Sequence, residues 1–168
     1  LSKDISEKNI EFIIYEDSYP HEEVEALSII REELNSRQSV YKSYSELFMI
    51  HPMTGKVMAS TITKNEGINK SFDPHFSEIL QSDKDYIKGI YYSKSMGENT
   101  MAFSRPIACN QHQGKHLLGI LVAHINLESS LYRLLSDRVG LGETGETLIV
   151  NKESYAISNL RWKADAPL

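Results

Sequence analysis

Hydrophobic residues recur every three to four positions between residues 21 and 38, and polar residues fill the positions between them. This period is that of an α-helix with one apolar face. Pro20 suits the first turn, because its fixed φ is already helical and its missing N–H needs no partner there. The pattern predicts a long N-terminal helix, whose apolar stripe consists of Val24, Leu27, Ile30 and Leu34.

From residue 46 onward the pattern shortens into apolar runs of strand length, separated by turn residues. Residues 47–51 and 56–62 flank the turn-forming Pro-Met-Thr-Gly at 52–55, so they predict a β-hairpin. Asp73 and Pro74 are typical of the cap and first turn of a helix, and they predict a short helix that ends near residue 80.

Three further apolar runs predict three more strands, at residues 87–92, 100–106 and 117–125. Asn126 can cap a helix that continues to residue 138. One face of that helix would carry Leu127, Leu131, Leu134 and Leu135. Residues 147–150 and 155–157 predict a last, narrow hairpin. Strands and helices do not alternate regularly, so we predict an α+β fold with a mostly antiparallel sheet and flanking helices, rather than a Rossmann fold.

The chain has 168 residues, 40% of them hydrophobic and 24% charged, which suits one soluble domain or one domain plus part of another. Its net charge is −5, and acidic and basic residues are interspersed. This charge argues against nucleic acid as a partner. No apolar run reaches the length of a membrane span, and the first residues do not resemble a signal peptide. We therefore expect a piece of a longer protein.

Residues with reactive side chains do not form a catalytic or metal-binding motif. Cys109 has His112 nearby in sequence, but nothing fixes their geometry, so a small thiol hydrolase is only a minor alternative. His112 and His116 are separated by a turn-forming glycine, which disfavours a metal pair. We expect this chain to be no enzyme and to need no metal or cofactor.

A few polar and aromatic residues allow two interpretations each. His124 lies within an apolar run, where a histidine either makes a structural hydrogen bond or lines a ligand pocket. Arg105 is either a surface residue or a bidentate clamp for an anion. Phe76 and Tyr91 suit either a core or the wall of a cavity.

Residues 140–147, Gly-Leu-Gly-Glu-Thr-Gly-Glu-Thr, form the most distinctive motif of the chain. The glycine spacing fits a phosphate-binding loop, but Glu146 occupies the lysine position and the loop precedes a strand instead of following one. The simpler interpretation is a connection whose glycines adopt backbone angles that other residues resist.

This motif, followed by Leu-Ile-Val at 148–150 and Asn151-Lys152, resembles the signature of Cache-type sensor domains, which are also called PDC domains and are PAS-like. The resemblance covers residues 20–168. Three other segments match the order of such domains: Asp-Pro-His-Phe at 73–76, Ser-Arg-Pro-Ile at 104–107 and the strand at 119–125.

The resemblance implies a PAS-like antiparallel sheet behind a long N-terminal helix, with ligands held between the sheet and the loops and helix that cover it. It also divides the chain into three parts. These are an N-terminal helical segment at 1–19, a Cache sensor module at 20–138, and a linker with the start of a membrane-proximal module at 139–168.

Amino-acid-binding members of the family carry an arginine and aromatic residues on the short helix and an acidic residue on the last strand. Here Asp73 replaces that arginine and His124 stands at the acidic position. A clamp for a carboxylate and an amine is therefore not implied. The resemblance leaves a pocket composed of His75, Phe76, Tyr91, Ser93, Arg105 and His124.

The implied function is sensing of an unidentified small polar ligand by the extracytoplasmic part, periplasmic or extracellular, of a transmembrane signalling receptor. A two-component sensor histidine kinase is the favoured receptor, and chemoreceptors and diguanylate cyclases share the resemblance. Attachment to the membrane would come only through segments outside this sequence. The alternative is a ligand-free structural module that forms a homodimer through the helix at 21–38. A sealed core around Phe76 and Tyr91 would favour that module, whereas an open cavity containing Arg105 or His124 would favour sensing.

Overall fold

An antiparallel sheet of five strands forms the centre of the molecule. The computed structural model describes residues 20–94, 96–109, 116–135, 137, 139–151, 154–158 and 160. The strands are β1 (Tyr44–Ile50), β2 (Val57–Ser60), β3 (Tyr86–Ser93), β4 (Glu98–Cys109) and β5 (His116–Asn126). Their order across the sheet is β2-β1-β5-β4-β3. Helix α1 (Pro20–Val40) packs on one face and helix α2 (Pro74–Ser82) on the other. The predicted α+β class is confirmed.

Helix α1 forms where the apolar stripe predicted it. Ile30 and Leu34 are fully buried against Leu47, Met49 and other residues on the same face of the sheet. The apolar stripe of α1 therefore packs against the sheet of its own chain. The predicted segment at 1–19 lies outside the described residues.

The β1–β2 hairpin also forms as predicted, and its turn requires a glycine. Gly55 has φ +69°, a conformation that costs other residues steric strain. A Cβ added at Gly55 would lie 2.7 Å from the Cβ of Ser71. The backbone N–H of Lys70 donates to the carbonyl of Gly55, so the turn also anchors residues 61–73, which we call the covering loop.

Helix α2 follows the covering loop and begins after Asp73, whose backbone is extended. The Asp73 carboxylate does not cap the helix but pairs with Lys70 at 3.1 Å. Phe76 and Ile79 on α2 pack against the second face of the sheet. The helix ends at Asp83, a left-handed residue whose N–H donates to the carbonyl of Ile79.

Side chains alternate between the two faces along the long strands. On β4, Ala102 belongs to the core beneath α2, whereas Ile107 and Cys109 belong to the core beneath α1. Cys109 is the last residue of β4 and is fully buried, rather than lying in a polar turn as its sequence neighbours suggest. His112 lies outside the described residues.

The predicted helix from Asn126 to residue 138 is wrong in its extent. The side chain of Asn126 does accept from the N–H of Ser129, as a cap would. The chain then forms a π-helical turn (Glu128–Tyr132) and one α-helical turn (Arg133–Leu135). Tyr132 is buried and its hydroxyl donates to the carbonyl of Ile157, whereas Leu134 is 71% exposed. Of the predicted leucine face, Leu127 is buried, and Tyr132 adds a tertiary hydrogen bond that the leucine pattern does not predict.

The glycine-rich segment forms a connection and opens no helix. Gly140 and Gly142 have φ of +82° and +66°, which agrees with the interpretation as a glycine-dependent loop. The narrow hairpin predicted beyond it is reduced to one bridge, between Val150 and Ala156.

Candidate functional site

Buried polar side chains gather on the face of the sheet that α2 and the covering loop enclose. Such groups are costly to bury unless they find partners, so a concentration of them marks a special region of the core. Strands β1–β5, α2 and the covering loop each contribute. We call this set the polar cluster; it consists of Glu46, Ser60, Asn65, His75, Tyr91, Ser104 and His124.

Glu46 lies at the base of the polar cluster and is almost fully buried. Its Oε1 accepts hydrogen bonds from Ser60 Oγ at 2.7 Å and Asn65 Nδ2 at 2.8 Å. Its Oε2 lies 3.3 Å from Nδ1 of His124. Burial by itself raises the pKa of Glu46, but the interactions with His124, Asn65 and Ser60 outweigh burial and hold that pKa below its ordinary value. The group is therefore a buried carboxylate anion at neutral pH.

His124 joins Glu46 to Tyr91. The two strands β1 and β5 pair with Glu46 directly opposite His124. Nε2 of His124 lies 3.1 Å from the Tyr91 hydroxyl. Within the described residues, Nδ1 of His124 has no hydrogen bond of good geometry, although the Glu46 carboxylate is its near neighbour. Burial raises the pKa of Tyr91, so its hydroxyl keeps its proton and can donate.

His75 approaches the same region from α2. Its Nδ1 lies 2.9 Å from the Ser104 hydroxyl, and its ring centroid is 6.1 Å from that of His124. Burial, and then the electrostatic influence of His124 and Lys88, lower the pKa of His75 to about 4. His75 is therefore neutral at pH 7, and the two imidazoles can lie close together without repulsion.

Charged side chains surround the polar cluster. The Lys88 ammonium lies 3.7 Å from the centre of the Tyr91 ring, in cation–π geometry. Lys70 pairs with Asp73 at the start of α2. Among the described residues, a cavity beside Glu46, Asn65 and Lys70 measures about 10 Å³, which is room for at most about one water molecule.

Solved structures with this arrangement of sheet and helices are bacterial sensor domains. The sensor domain of the V. cholerae histidine kinase DctB matches 82% of this chain and 48% of its own, with a TM-score of 0.62 and 15% identity. The ligand-binding domain of the Campylobacter jejuni chemoreceptor Tlp3, in complex with 4-methylisoleucine, matches 92% of this chain and 59% of its own, with a TM-score of 0.61 and 11% identity. The chain has the Cache fold. The resemblance predicted from the sequence is confirmed at the level of the fold.

The ligand-binding domain of Mlp24 with asparagine shares the Cache fold at 16% identity and a TM-score of 0.59, and it matches 79% of this chain and 53% of its own. Neither a protein-family model nor a curated protein matches the sequence. The chain spans about half of the length of these solved structures. Within the described residues, no helix has the length and apolarity needed to span a membrane.

The Cache fold brings three of the six predicted pocket residues together. His75, Tyr91 and His124 contribute to one polar cluster. Phe76 lies beside them in the apolar core beneath α2. Ser93 is buried at the end of β3, where its carbonyl accepts from the N–H groups of the β3–β4 turn.

Arg105 lies on the other face of the sheet. Its neighbour Ser104 points toward His75, and alternate residues of a strand point to opposite faces. Arg105 is exposed and donates two hydrogen bonds to Asp85, from Nε at 3.0 Å and from Nη2 at 2.5 Å. Arg105 is therefore placed apart from the polar cluster.

Sequence reasoning missed Glu46, the buried carboxylate that joins Ser60, Asn65 and His124. A glutamate at the start of an apolar run looks like a solvated strand end. The informative signal was its position opposite His124, and only the pairing of β1 with β5 reveals it. Ser104 was noticed only as part of a motif.

A larger groove, of about 430 Å³, opens on the face of the sheet beside α1. Ile87 and Phe103 are exposed there, and the pair of Arg105 and Asp85 lies at its edge. The charges of Arg105 and Asp85 already neutralise each other. The groove is larger than the cavity at the polar cluster but lacks its convergent buried polar groups, so we consider the polar cluster the better candidate site.

Proposed function

We propose that this chain is the extracytoplasmic sensor domain of a membrane-anchored signalling receptor, and that it binds a small polar ligand between the sheet and α2. The contact residues would be His75, Tyr91 and His124, as predicted from the sequence, with Glu46 added from the structure. Phe76 would form the apolar wall. Ser93 and Arg105 remain predictions, and Arg105 lies on the other face of the sheet, where it pairs with Asp85.

The observation that supports this proposal best is the polar cluster itself. A core needs only apolar side chains to be stable, and a buried ion pair contributes little that well-packed apolar residues would not. Here a carboxylate, two imidazoles and a phenol converge beneath a loop and a two-turn helix. Convergent polar groups next to aromatic side chains are the usual composition of a small-ligand site.

Binding beside Glu46 and Asn65 requires this part of the site to open, because the described cavity of about 10 Å³ cannot hold a metabolite. The parts that can move are the covering loop and α2, which join the sheet through Asn65 and His75. A ligand that fits only the open state shifts the equilibrium by its difference in affinity for the two states. Opening and closing of this region would be the conformational signal.

Thermal unfolding against a panel of small acids, amines, sugars and metal ions tests the proposal. A ligand at a hundred times its Kd stabilises the folded state by about 2.7 kcal/mol, which raises Tm by roughly 5–10 °C at this size. Tyr91→Phe should abolish the shift produced by a positive compound. Tyr92→Phe is the matched control, because Tyr92 is the next residue of β3 and is 58% exposed. Equal shifts in both variants would place binding elsewhere.

The nearly sealed core also favours the second candidate, a ligand-free structural module. In that case no panel compound would shift Tm, and Tyr91→Phe would only alter stability. Dimerisation through the apolar stripe of α1 is disfavoured, because Ile30 and Leu34 are buried within the chain. A homodimer through α1 would have to use its outer side, including Ile29. Sedimentation velocity of Ile29→Lys beside the unsubstituted chain tests that contact.

We favour a sensor histidine kinase as the full-length receptor, on the resemblance of the glycine-rich motif and the order of the elements. The Cache fold supports a chemoreceptor equally well, since DctB and Tlp3 have nearly the same TM-scores. The test is ATP-dependent phosphorylation of a histidine in the full-length protein in membranes. Absence of phosphorylation with and without a positive panel compound would favour the chemoreceptor.

A further inference from the structure

His75 and His124 lie close together in the core beneath α2 and the covering loop. Their ring centroids are 6.1 Å apart, and the carboxylate of Glu46 lies 3.3 Å from Nδ1 of His124. His75 has the Ser104 hydroxyl as its hydrogen-bond partner, at 2.9 Å. Among the described residues, the cavity beside Glu46 and Asn65 has room for at most about one water molecule. An added proton on His75 is therefore poorly solvated while this region is closed.

His124 lies between two other members of the polar cluster. Its Nε2 is 3.1 Å from the Tyr91 hydroxyl, and its Nδ1 is 3.3 Å from Oε2 of Glu46. The Glu46 carboxylate is therefore engaged by Ser60, Asn65 and His124.

The groups that face His75 make its protonation unfavourable in the closed arrangement. Positive or protonatable groups surround it: Lys70 in the covering loop, Lys88 on β3 and His124 on β5. Asp73 at the start of α2 opposes them but already pairs with Lys70. Tyr86 and Tyr91 on β3, and Ser104 on β4, are neutral, and Glu46 on β1 is occupied by Ser60, Asn65 and His124.

We propose that the polar cluster is an acid-responsive device, in which protonation of His75 separates α2 and the covering loop from the sheet while the rest of the fold persists. This goes beyond ligand sensing, because it gives the domain a response to protons alone. Closure then requires a neutral His75 imidazole, and acid favours the open state. The core beneath α1 has no part in the device, since its buried residues are apolar.

The test is a pH titration of the 168-residue chain by NMR, without any added ligand, from pH 7.5 to pH 4. We expect the His75 imidazole to titrate below the ordinary value of about 6.5. Amide signals of α2 should shift with the same midpoint, while those of α1 stay unchanged except near Arg31, which binds Glu66 of the covering loop. Simultaneous loss of both helices would overturn the proposal, since it indicates global acid unfolding. Titration of His75 with no shift in α2 would also overturn it.

Two variants and a control extend the test. In His75→Gln the α2 shift should move to lower pH or vanish, because one titrating group is gone. Ser104→Ala keeps the imidazole and should retain the transition. His51→Asn is the control, since His51 lies in the β1–β2 turn and asparagine can still accept from the turn N–H groups. An identical transition in all variants would overturn the assignment to His75. A negative ligand panel leaves this titration unaffected, so the two proposals fail separately.

Discussion

Glu46 connects three segments that are far apart in sequence. Its carboxylate accepts hydrogen bonds from Ser60 of β2 and Asn65 of the covering loop. The same carboxylate lies 3.3 Å from Nδ1 of His124 on β5. A charge buried in this way is stable only while its partners remain, because the cost of removing it from water is otherwise uncompensated. The effects of substitution at this residue therefore depend on whether the partners keep an acceptor.

We predict that Glu46→Ala destabilises the fold by about 3 kcal/mol or more, because it leaves Asn65 and His124 without their buried acceptor. Glu46→Gln keeps the volume and one acceptor oxygen, so its cost should be smaller, about 1–2 kcal/mol. Urea denaturation gives both values. Equal free energies of unfolding for Glu46→Ala and the unsubstituted chain would show that the carboxylate is not structurally coupled.

Stability should fall as pH decreases from 6.5 toward 4. Burial lowers the pKa of His75 to about 4, so the unfolded chain binds more protons than the folded one in this window. The contribution of His75 to the free energy of unfolding is complete above pH 6.5. About 2 kcal/mol of that contribution is lost at pH 5. The pKa of Glu46 is also lowered, so protonation of Glu46 removes further stability at still lower pH. Denaturation at pH 7 and pH 5 measures the effect, and His75→Gln should have a flatter dependence.

At the scale of elements, hydrogen bonds anchor the covering loop in its middle, at Glu66, and near its second end, at Lys70. Glu66 in this loop accepts from Arg31 of α1 at two atoms and from the backbone N–H of Ser60. The loop thus connects the helix on one face to the cluster on the other. The turn at Gly55 fixes its second end, because Gly55 and Lys70 are joined by a backbone hydrogen bond.

Gly55→Ala should destabilise the hairpin more than Gly67→Ala. Both glycines have positive φ, at +69° and +79°, so both substitutions carry the same backbone strain of about 1 kcal/mol. Only at Gly55 would the new Cβ also meet Ser71 at 2.7 Å, whereas nothing lies within 4 Å at Gly67. Thermal unfolding of the two variants measures the difference. An equal loss in the two variants would show that Ser71 moves away without cost.

On the scale of the whole molecule, one sheet carries two cores. Leu47 and Met49 point into the core beneath α1, and Phe48 and Ile50 point into the core beneath α2. The strands in the middle of the sheet are therefore buried on both faces. Loss of packing on either face weakens the same strands, which couples the two layers.

Leu47→Ala and Phe48→Ala should each destabilise the molecule by about 3–5 kcal/mol and leave a single unfolding transition. Each removes a nearly fully buried side chain, from opposite faces of β1. Circular dichroism and hydrogen exchange at α1 and α2 should report the same midpoint. Two separate transitions in either variant would contradict the shared sheet.

The sequence by itself determined the local elements and their types. The stripe at Ile30 and Leu34, the turn at Gly55 and the pair Asp73-Pro74 each have a local physical cause, and the corresponding elements formed where these residues predicted them. Where a tertiary contact competed, as with Tyr132, the predicted helix was too long. Of its leucines, Leu127 is buried whereas Leu134 is exposed, so the pattern located only part of the packing face.

Only the tertiary structure decided which polar residues meet. His124 and Glu46 are 78 positions apart, and the register of β1 against β5 places them side by side. Arg105 and Ser104 are adjacent in sequence, yet the alternation of the strand sends them to opposite faces. Helical and turn preferences arise from neighbouring residues, whereas a site is formed by pairing across the sheet, and strand register depends on the packing of the whole molecule.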